Sequence, residues 1–347
     1  MQLHEFDYHL PKELIAQTPL KERDQSKFLV LNRTTGELTH RRFFELPDLL
    51  DANTVLVLNE SRVIPARLTF ELGNGMAEIL LIRALSHSRW ECMVKPGAKF
   101  QVGDTIDLDE DLTVDIVDIL SNGLRVIEFH CDDFDAYLKQ KGQMPTPPYI
   151  KETLKDKERY QTIYSHTEGS VAAPTAGLHF TDRVFEALKQ KGVQIEKVTL
   201  HVGLGTFQSV KTERIEDHPM HSEWFELKPE VAERLNAAKK ADKRIVAVGT
   251  TSVRVLESCS TDDGFLQAQA DDTNLYIYPG YHWKFVDGMI TNFHVPKSSL
   301  MMLVSSLATP KDATDKMAGR DLILKAYEEA KKQGYRFFSF GDAMMIV

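Results

Sequence analysis

The sequence predicts an α/β main domain that is interrupted by an inserted all-β domain, a small barrel. The first observation is an unbroken apolar run at residues 54–58, which is typical of a strand covered on both faces. The second is the stretch 64–147, where short β-type runs alternate with glycine-containing turns. The third is the alternation of strand-like and helix-like segments in the second half of the chain. We therefore expect an α/β domain made of residues 1–63 plus 148–347, with residues 64–147 as the insert.

The first sixty residues predict three strands and one short helix. The strands are expected at residues 28–31, 37–41 and 54–58. The helix candidate 43–50 contains Pro47, which disfavours an α-helix interior. The polar residues 59–62 follow the last of these strands, at a position where open α/β sheets place ligand groups.

The insert carries a strong hairpin signal. Asn122 and Gly123 stand between two β-type runs at 113–120 and 124–130, and this pattern is typical of a tight hairpin turn. A short helix is expected at residues 132–141, since Gly142 follows it.

The second half of the chain alternates between the two element types. Strands are expected at residues 195–201, 244–248, 276–278, 288–291 and 336–340. Helices are expected at residues 182–191, 229–241, 253–258, 300–307 and 321–332. Thr181 or Asp182 can cap the first of these helices, and Phe180 can pack on its apolar side.

A loop of small, uncharged residues at 169–181 stands out, because loops of this length and composition are typical of ligand-facing segments. A tight connection between packed elements is the alternative. Similar polar or glycine-rich segments follow other predicted strands, at residues 59–62, 203–207, 249–252, 292–299 and 341–342. Because carboxyl ends of parallel strands meet at one edge of a sheet, we expect these segments to converge on one crevice.

Several common sites are excluded by pattern. The Gly203 and Gly205 pair lacks the third glycine and following helix of a dinucleotide fingerprint, and residues 249–252 lack the lysine of a P-loop. Cys92, Cys131 and Cys259 are far apart, and the histidines have no tight ligand spacing. We expect reduced thiols and no metal site.

Length and composition narrow the class of protein further. A chain of 347 residues can bury a full core and has room for two domains. Its net charge of −9 disfavours a nucleic-acid partner, although a local basic face on an acidic body stays possible. No apolar run of about 18 residues occurs, and the start lacks the pattern of a secretory signal. We expect a cytoplasmic protein that does not span a membrane.

Some candidate residues have two interpretations each. The segment 218–224 can supply a general base or form an exposed turn, and His294 can act in a site or be a satisfied core histidine. The cations Arg62, Arg254 and Lys297 can hold an anion or pair with structural carboxylates. The aromatic residues at 276–283 can stack on a base or pack along a strand.

Together these segments closely resemble the S-adenosylmethionine:tRNA ribosyltransferase-isomerase family of queuosine biosynthesis. One matching motif is His201-Val202-Gly203-Leu204-Gly205-Thr206-Phe207. The others lie at residues 58–68, 147–150, 160–164, 169–181, 221–223, 248–254, 291–299 and 340–344. The likeness runs over the whole chain, with Val295 and Ser299 as mild variations.

The resemblance implies a reaction. The ribosyl part of S-adenosylmethionine is transferred to the aminomethyl nitrogen of preQ1 at the tRNA wobble position and isomerised, giving epoxyqueuosine-tRNA with release of adenine and methionine. S-adenosylmethionine is then a consumed donor, and no catalytic cofactor is expected. The partners are preQ1-containing tRNA and S-adenosylmethionine, and a monomer is favoured over a homodimer.

The resemblance also indicates the site. The acid–base steps are expected from residues among His179, His221, Glu223, His294 and Asp342. Substrate binding is expected from Arg62, Pro174, Thr175, Gly177, Gly203, Gly205, Thr206, Thr250, Thr251, Ser252, Arg254, Asn292 and Lys297. Two other functions stay open, an S-adenosylmethionine-dependent RNA methyltransferase and a non-catalytic RNA-binding protein.

Overall fold

The structure, a computed structural model, describes residues 1–152, 154, 156–203 and 210–347. The chain forms two compact units. The first contains Met1–Arg62, Pro147–Thr167 and Ala173–Val347, and the second contains Val63–Thr146 and Glu168–Ala172.

The strands and helices of both units are numbered in chain order. The first ten strands are β1 (Lys27–Leu31), β2 (Leu38–Arg42), β3 (Thr54–Asn59), β4 (Ser61–Val63), β5 (Arg67–Leu72), β6 (Gly75–Ala84), β7 (Arg89–Lys95), β8 (Thr105–Asp107), β9 (Thr113–Ile119) and β10 (Arg125–His130). The later strands are β11 (Thr167–Ser170), β12 (Gln194–Leu200), β13 (Glu223–Leu227), β14 (Arg244–Val248), β15 (Gln269–Thr273), β16 (Gly288–Asn292) and β17 (Ala343–Ile346). The α-helices are α1 (Phe134–Lys141), α2 (Asp182–Gln190), α3 (Pro229–Lys240), α4 (Gly249–Cys259), α5 (Ser299–Leu307) and α6 (Ala318–Lys332).

The described part of the first unit is built on one mixed sheet with the strand order β15-β13-β12-β3-β14-β16-β17-β1-β2. Strands β12, β3, β14 and β16 are mutually parallel. Strand β17 runs against β16 and parallel to β1, and β13 runs against β12. The amino ends of β17, β1 and β13 therefore lie at the same edge of the sheet as the carboxyl ends of the four parallel strands. We call this the carboxyl edge; it includes Asn59, Leu200, Val248, Asn292 and Ala343.

The centre of this sheet is covered on both faces, as the apolar run at 54–58 predicts. Every residue of β3 is buried. Strand β14 beside it is buried from its second residue onward. Side chains from β1, β3 and β14 pack with the apolar side of α2 in one core cluster that includes Phe28, Leu56, Val184 and Val246. Burial of this apolar surface fixes the sheet that carries the site.

The local sequence explains why α2 begins where it does. Thr181 caps the helix, because its hydroxyl oxygen accepts a hydrogen bond from the Val184 amide. Phe180, just before the cap, stacks on Phe185 with ring centroids 5.1 Å apart. This is a hydrophobic staple, and it confirms the expected packing of Phe180 on the helix.

The described part of the second unit contains an antiparallel sheet of six strands in the order β5-β6-β7-β10-β9-β8. The predicted hairpin is confirmed as β9 and β10, with a bulge between Val126 and Ile127. Apolar side chains such as Ile79, Leu81 and Phe100 are buried in this unit.

Several expected elements differ from the structure. Residues 276–278 are not a strand, and the unpredicted β15 forms instead from polar residues. Residues 336–340 are also not a strand, because Phe338 takes φ 70°, which breaks an extended chain. The final strand is β17. The segment 249–252 is the first turn of α4 and not a loop before it.

Within the described ranges, every helix is too short or too polar to cross a membrane.

Candidate active site

A cleft opens at the carboxyl edge of the first unit. Its walls come from residues 173–176, 249–251, 291–295 and 338–339, together with Tyr149, Val202, Ser298 and Leu300. Among these described lining residues there is no lysine, arginine, aspartate or glutamate. Hydroxyl, amide and imidazole groups are its polar side chains, so the cleft is polar but uncharged.

Three of the segments that were expected to converge, 169–181, 249–252 and 292–299, contribute residues to this cleft. Residues 59–62 and 341–342 do not line it, and residues 204–207 lie outside the described part of the chain. Gly341 and Asp342 were expected after a strand that ends in the crevice. They lie instead before β17, which runs against β16, so that Ala343 pairs with Asn292 at the carboxyl edge. The reversed strand direction brings the segment to the edge that the sequence predicts.

His179 is held in a chain of side-chain hydrogen bonds. Thr175 Oγ1 donates to Asn292 Oδ1 at 2.8 Å, which turns the Asn292 amide nitrogen towards His179 Nε2 at 3.3 Å. Because Nε2 accepts this bond, Nδ1 carries the proton of the neutral ring and donates to Ser26 Oγ at 2.8 Å.

The surroundings of His179 keep it neutral. Its ring is buried against Phe43, with centroids 5.1 Å apart. Burial first, and the positive charge of Arg336 second, lower the pKa of His179 to about 3. Thr175 and Asn292 lie between this ring and the cleft, so His179 supports the cleft wall through them.

His294 lies in the cleft wall itself. Its Nε2 is 2.9 Å from Thr291 Oγ1. Its backbone is fixed on both sides, because its amide donates to the Tyr327 hydroxyl at 2.9 Å and its carbonyl accepts from the Tyr8 hydroxyl. Burial lowers the pKa of His294 to about 3. The ring is therefore neutral at pH 7 and can accept a proton or a hydrogen bond.

The first turn of α4 faces the cleft through Thr250 and Thr251. The next residue, Ser252, is fully buried, and its hydroxyl donates to the Val248 carbonyl at 2.9 Å. The amino end of this helix thus presents backbone N–H groups and threonine hydroxyls to the cleft.

Glu223 and Arg254 form a buried ion pair that does not line the cleft. Arg254 Nη1 bonds Glu223 Oε2, and the remaining guanidinium nitrogens donate to the carbonyls of Leu275 and Thr273 at 3.2 and 2.8 Å. Glu223 Oε1 accepts from the Gly203 amide at 2.7 Å. The pair ties β13, α4 and the segment after β12 together.

Three further predicted residues are engaged in other contacts. Asp342 accepts from the Lys27 and Arg336 amides at 3.0 and 2.8 Å. Arg62 donates to Ser165 Oγ at 3.0 Å and pairs with Glu158. Lys297 Nζ lies 2.6 Å from Asp7.

The other predicted residues are placed as follows. Pro174 immediately precedes the short 3₁₀ helix Thr175–His179, in which Gly177 is buried against Tyr164. His221 is exposed just before β13. Gly205 and Thr206 lie outside the described residues.

Some residues of the site carry no signal in the sequence. Ser26 bonds His179 across 153 positions, and Tyr8 holds the His294 carbonyl across 286 positions. Tyr149 lines the cleft and shares a hydrogen bond of 2.7 Å with Ser339. Only the folded chain brings these side chains to the carboxyl edge.

In the described ranges, no group of three or more histidine, cysteine, aspartate or glutamate residues is placed to hold a metal ion.

Comparison with known proteins assigns the chain to an enzyme family. A family model described as "Queuosine biosynthesis protein" matches residues 3–346. The chain is 50% identical, over 100% of both sequences, to S-adenosylmethionine:tRNA ribosyltransferase-isomerases of Desulfitobacterium hafniense and Symbiobacterium thermophilum. The crystal structure of an S-adenosylmethionine tRNA ribosyltransferase from Thermotoga maritima is 38% identical, with a TM-score of 0.55 over 99% of this chain and 100% of that one. The chain therefore belongs to the queuosine biosynthesis protein family.

Proposed function

We propose that this protein transfers the ribosyl part of S-adenosylmethionine to the aminomethyl group of preQ1 at the tRNA wobble position and isomerises it. The products are epoxyqueuosine-tRNA, adenine and methionine. The observation that carries the proposal is the full-length identity of 50% to relatives named S-adenosylmethionine:tRNA ribosyltransferase-isomerase. The relatives' names give no support to a methyltransferase or to a non-catalytic RNA-binding protein.

The reaction places two demands on the cleft. An aminomethyl group resembles lysine, with a pKa of about 10.4, so freeing its lone pair at pH 7 costs about 4.6 kcal/mol. A site that disfavours the charged amine lowers this cost. The sulfonium acidifies the adjacent ribose carbon, and a base must remove that proton to begin the rearrangement.

We assign the proton-accepting step to His294. It lines the cleft and is unprotonated at pH 7, so its ring nitrogen has a free lone pair. Burial lowers its pKa to about 3, which makes it a weaker base than a free imidazole, so the assignment rests on its position in the cleft. The other titratable side chain among the described lining residues is Tyr149, which keeps its proton because burial raises its pKa to about 12. A proton held by His294 is readily passed on, which suits protonation of the departing adenine.

The remaining acid–base candidates are positioning residues in this proposal. His179 acts through Asn292, Asp342 fixes the start of β17, and Glu223 holds Arg254. His221 is exposed and is retained as a candidate for contact with the RNA.

The donor is proposed to lie in the cleft, against two of its walls. Pro174, Thr175 and Asn292 form one wall, and Thr250 and Thr251 form the other. The cations Arg62, Arg254 and Lys297 already pair with carboxylates, so we do not assign the donor's carboxylate to them.

We also propose the domain organisation that the sequence predicts, with residues 1–63 and 148–347 as the α/β catalytic domain and residues 64–147 as an inserted β-barrel domain. The boundaries of the second unit at Val63 and Thr146, and its antiparallel sheet, support it. The exception is Glu168–Ala172, which clusters with the second unit. The proposed enzyme is a cytoplasmic monomer.

The proposed function is tested by incubating the protein with S-adenosylmethionine and an anticodon stem-loop that contains preQ1. Mass spectrometry should detect adenine and methionine, and neither should form with a stem-loop that lacks the aminomethyl group. Formation of S-adenosylhomocysteine would instead identify methyl transfer and overturn the proposal.

A further inference from the structure

The amino end of α4 is left without a side-chain cap. The capping position is Val248, whose side chain cannot accept a hydrogen bond, and the first four N–H groups of an α-helix have no partner within it. Helix α5 also starts at the cleft, but there Ser298 accepts from the Met301 amide. The donors of α4 are thus the ones open to a ligand.

A second observation at the same place concerns Thr251. This residue lines the cleft and is only 7% exposed, yet its hydroxyl oxygen has no hydrogen-bond partner among the described residues. A buried hydroxyl without a partner is costly, and such groups in native structures point to a missing ligand or water.

The charge around this helix end favours an anion. The first turn of α4 contains no acidic residue, and the described lining residues of the cleft contain no carboxylate. Arg254, one turn further along the helix, is paired with Glu223, so that these two charges neutralise each other. The partial positive charge of the helix amino end is therefore unopposed.

We propose that the amino end of α4 and the Thr251 hydroxyl bind an oxyanion, the carboxylate of the methionine part of S-adenosylmethionine. This inference rests on the proposed function, because that function supplies the donor. Helix N–H groups and a threonine hydroxyl match the acceptor lone pairs of a carboxylate. A tRNA phosphate has the same chemistry, so the experiment must distinguish the two sources.

The test compares S-adenosylmethionine with its decarboxylated form by calorimetry on the full-length protein. Thr251→Val removes the hydroxyl at nearly constant volume, and Thr251→Ser retains it. Thr212→Val is the matched control, since it removes another hydroxyl that has no hydrogen-bond partner in the described part of the chain, on a residue outside the described cleft lining. We expect Thr251→Val to weaken S-adenosylmethionine binding about tenfold, as the loss of one hydrogen bond to a charged group implies. The same variant should leave binding of the decarboxylated form unchanged, and Thr251→Ser and Thr212→Val should bind both ligands as wild type does.

Three outcomes overturn the inference. Equal weakening of both ligands by Thr251→Val places the hydroxyl away from the carboxylate. Weakened binding of the preQ1 stem-loop, with S-adenosylmethionine binding unchanged, assigns the site to a phosphate. If Thr251→Val changes the binding of none of these ligands, the proposed oxyanion site does not exist. The wild-type protein can also bind S-adenosylmethionine more tightly than its decarboxylated form and yet release no adenine or methionine. That result would count against the proposed function but would not contradict this inference.

Discussion

Ser26 Oγ lies 2.8 Å from His179 Nδ1, although 153 positions separate the two residues. Ser26 directly precedes β1, and His179 ends the short helix that follows the small-residue loop. Through Asn292, the same imidazole reaches the wall of the cleft. The buried His179 ring thus connects the start of β1 to the end of β16, and it holds the cleft wall in place.

Replacing Ser26 tests this connection. Ser26→Ala leaves the His179 Nδ1–H buried without an acceptor, and we expect a loss of about 1–3 kcal/mol in the free energy of unfolding. Urea denaturation measures it. Ser86→Ala is the control, because Ser86 is exposed and its hydroxyl accepts from the nearby Arg89 amide. Equal stability of Ser26→Ala and wild type would show that the bond contributes nothing.

The buried histidines predict a dependence of stability on pH. The pKa of His294 is about 3 in the folded protein and about 6.5 when unfolded. The unfolded state therefore binds more protons between these values, so the stability is full above pH 6.5 and is lost as the pH falls.

His294→Gln checks this dependence. Urea denaturation from pH 8 to pH 5 should give a slope for wild type that is steeper by up to about 1.4 kcal/mol per pH unit than the slope of the variant. The difference at pH 8, where the imidazole is neutral in both states, records the cost of the substitution itself. Parallel curves over the whole range would mean that His294 titrates normally in the folded protein.

The central part of the fold was predictable from sequence because it depends on local burial. The apolar run of β3 and the asparagine–glycine turn of the β9–β10 hairpin each fix their element within a few residues. The segment 336–340 misleads, because its aromatic residues favour a strand while Phe338 adopts φ 70° in the folded chain. Strand β15 was missed since its residues are mostly polar and exposed at the end of the sheet.

The sequence predicted loops that converge at the candidate site, but it did not predict the side-chain contacts within it. Thr251 and Asn292 lie at the ends of two predicted strands, and the parallel order of β14 and β16 brings them together, while Thr175 comes from the small-residue loop. The pairing of Arg254 with Glu223 depends on a strand crossing that no local pattern specifies. The threonines and serine at 250–252 favour a loop by propensity, yet the structure uses them as the first turn of α4.

The Glu223–Arg254 pair predicts strong coupling between two substitutions. Glu223→Gln or Arg254→Met alone leaves one buried charge without its partner, and each should cost about 3–5 kcal/mol of unfolding free energy. The double variant removes both charges and should recover a large part of that loss. A double-mutant cycle by urea denaturation measures the coupling, and additive losses would contradict it.

Gly177 predicts a steric effect that a second change relieves. A Cβ at this position would overlap the Tyr164 hydroxyl oxygen, so Gly177→Ala should lower the melting temperature by several degrees. Adding Tyr164→Phe removes the overlapping atom and should restore part of the loss. Gly75→Ala is the control, since a Cβ there meets no atom within 4 Å. If Gly177→Ala melts as wild type does, the packing of Gly177 against Tyr164 is incorrect.

The measurement that tests the central claim most directly follows carbon from the donor into RNA. S-adenosylmethionine labelled with ¹³C in the ribose, or separately in the methyl group, is incubated with the preQ1 stem-loop, and the RNA is analysed by mass spectrometry. Transfer and isomerisation of the ribosyl part predict that the ribose label enters the RNA and the methyl label leaves with methionine. Methyl label in the RNA, with the ribose label retained in a released nucleoside, would contradict the proposed function.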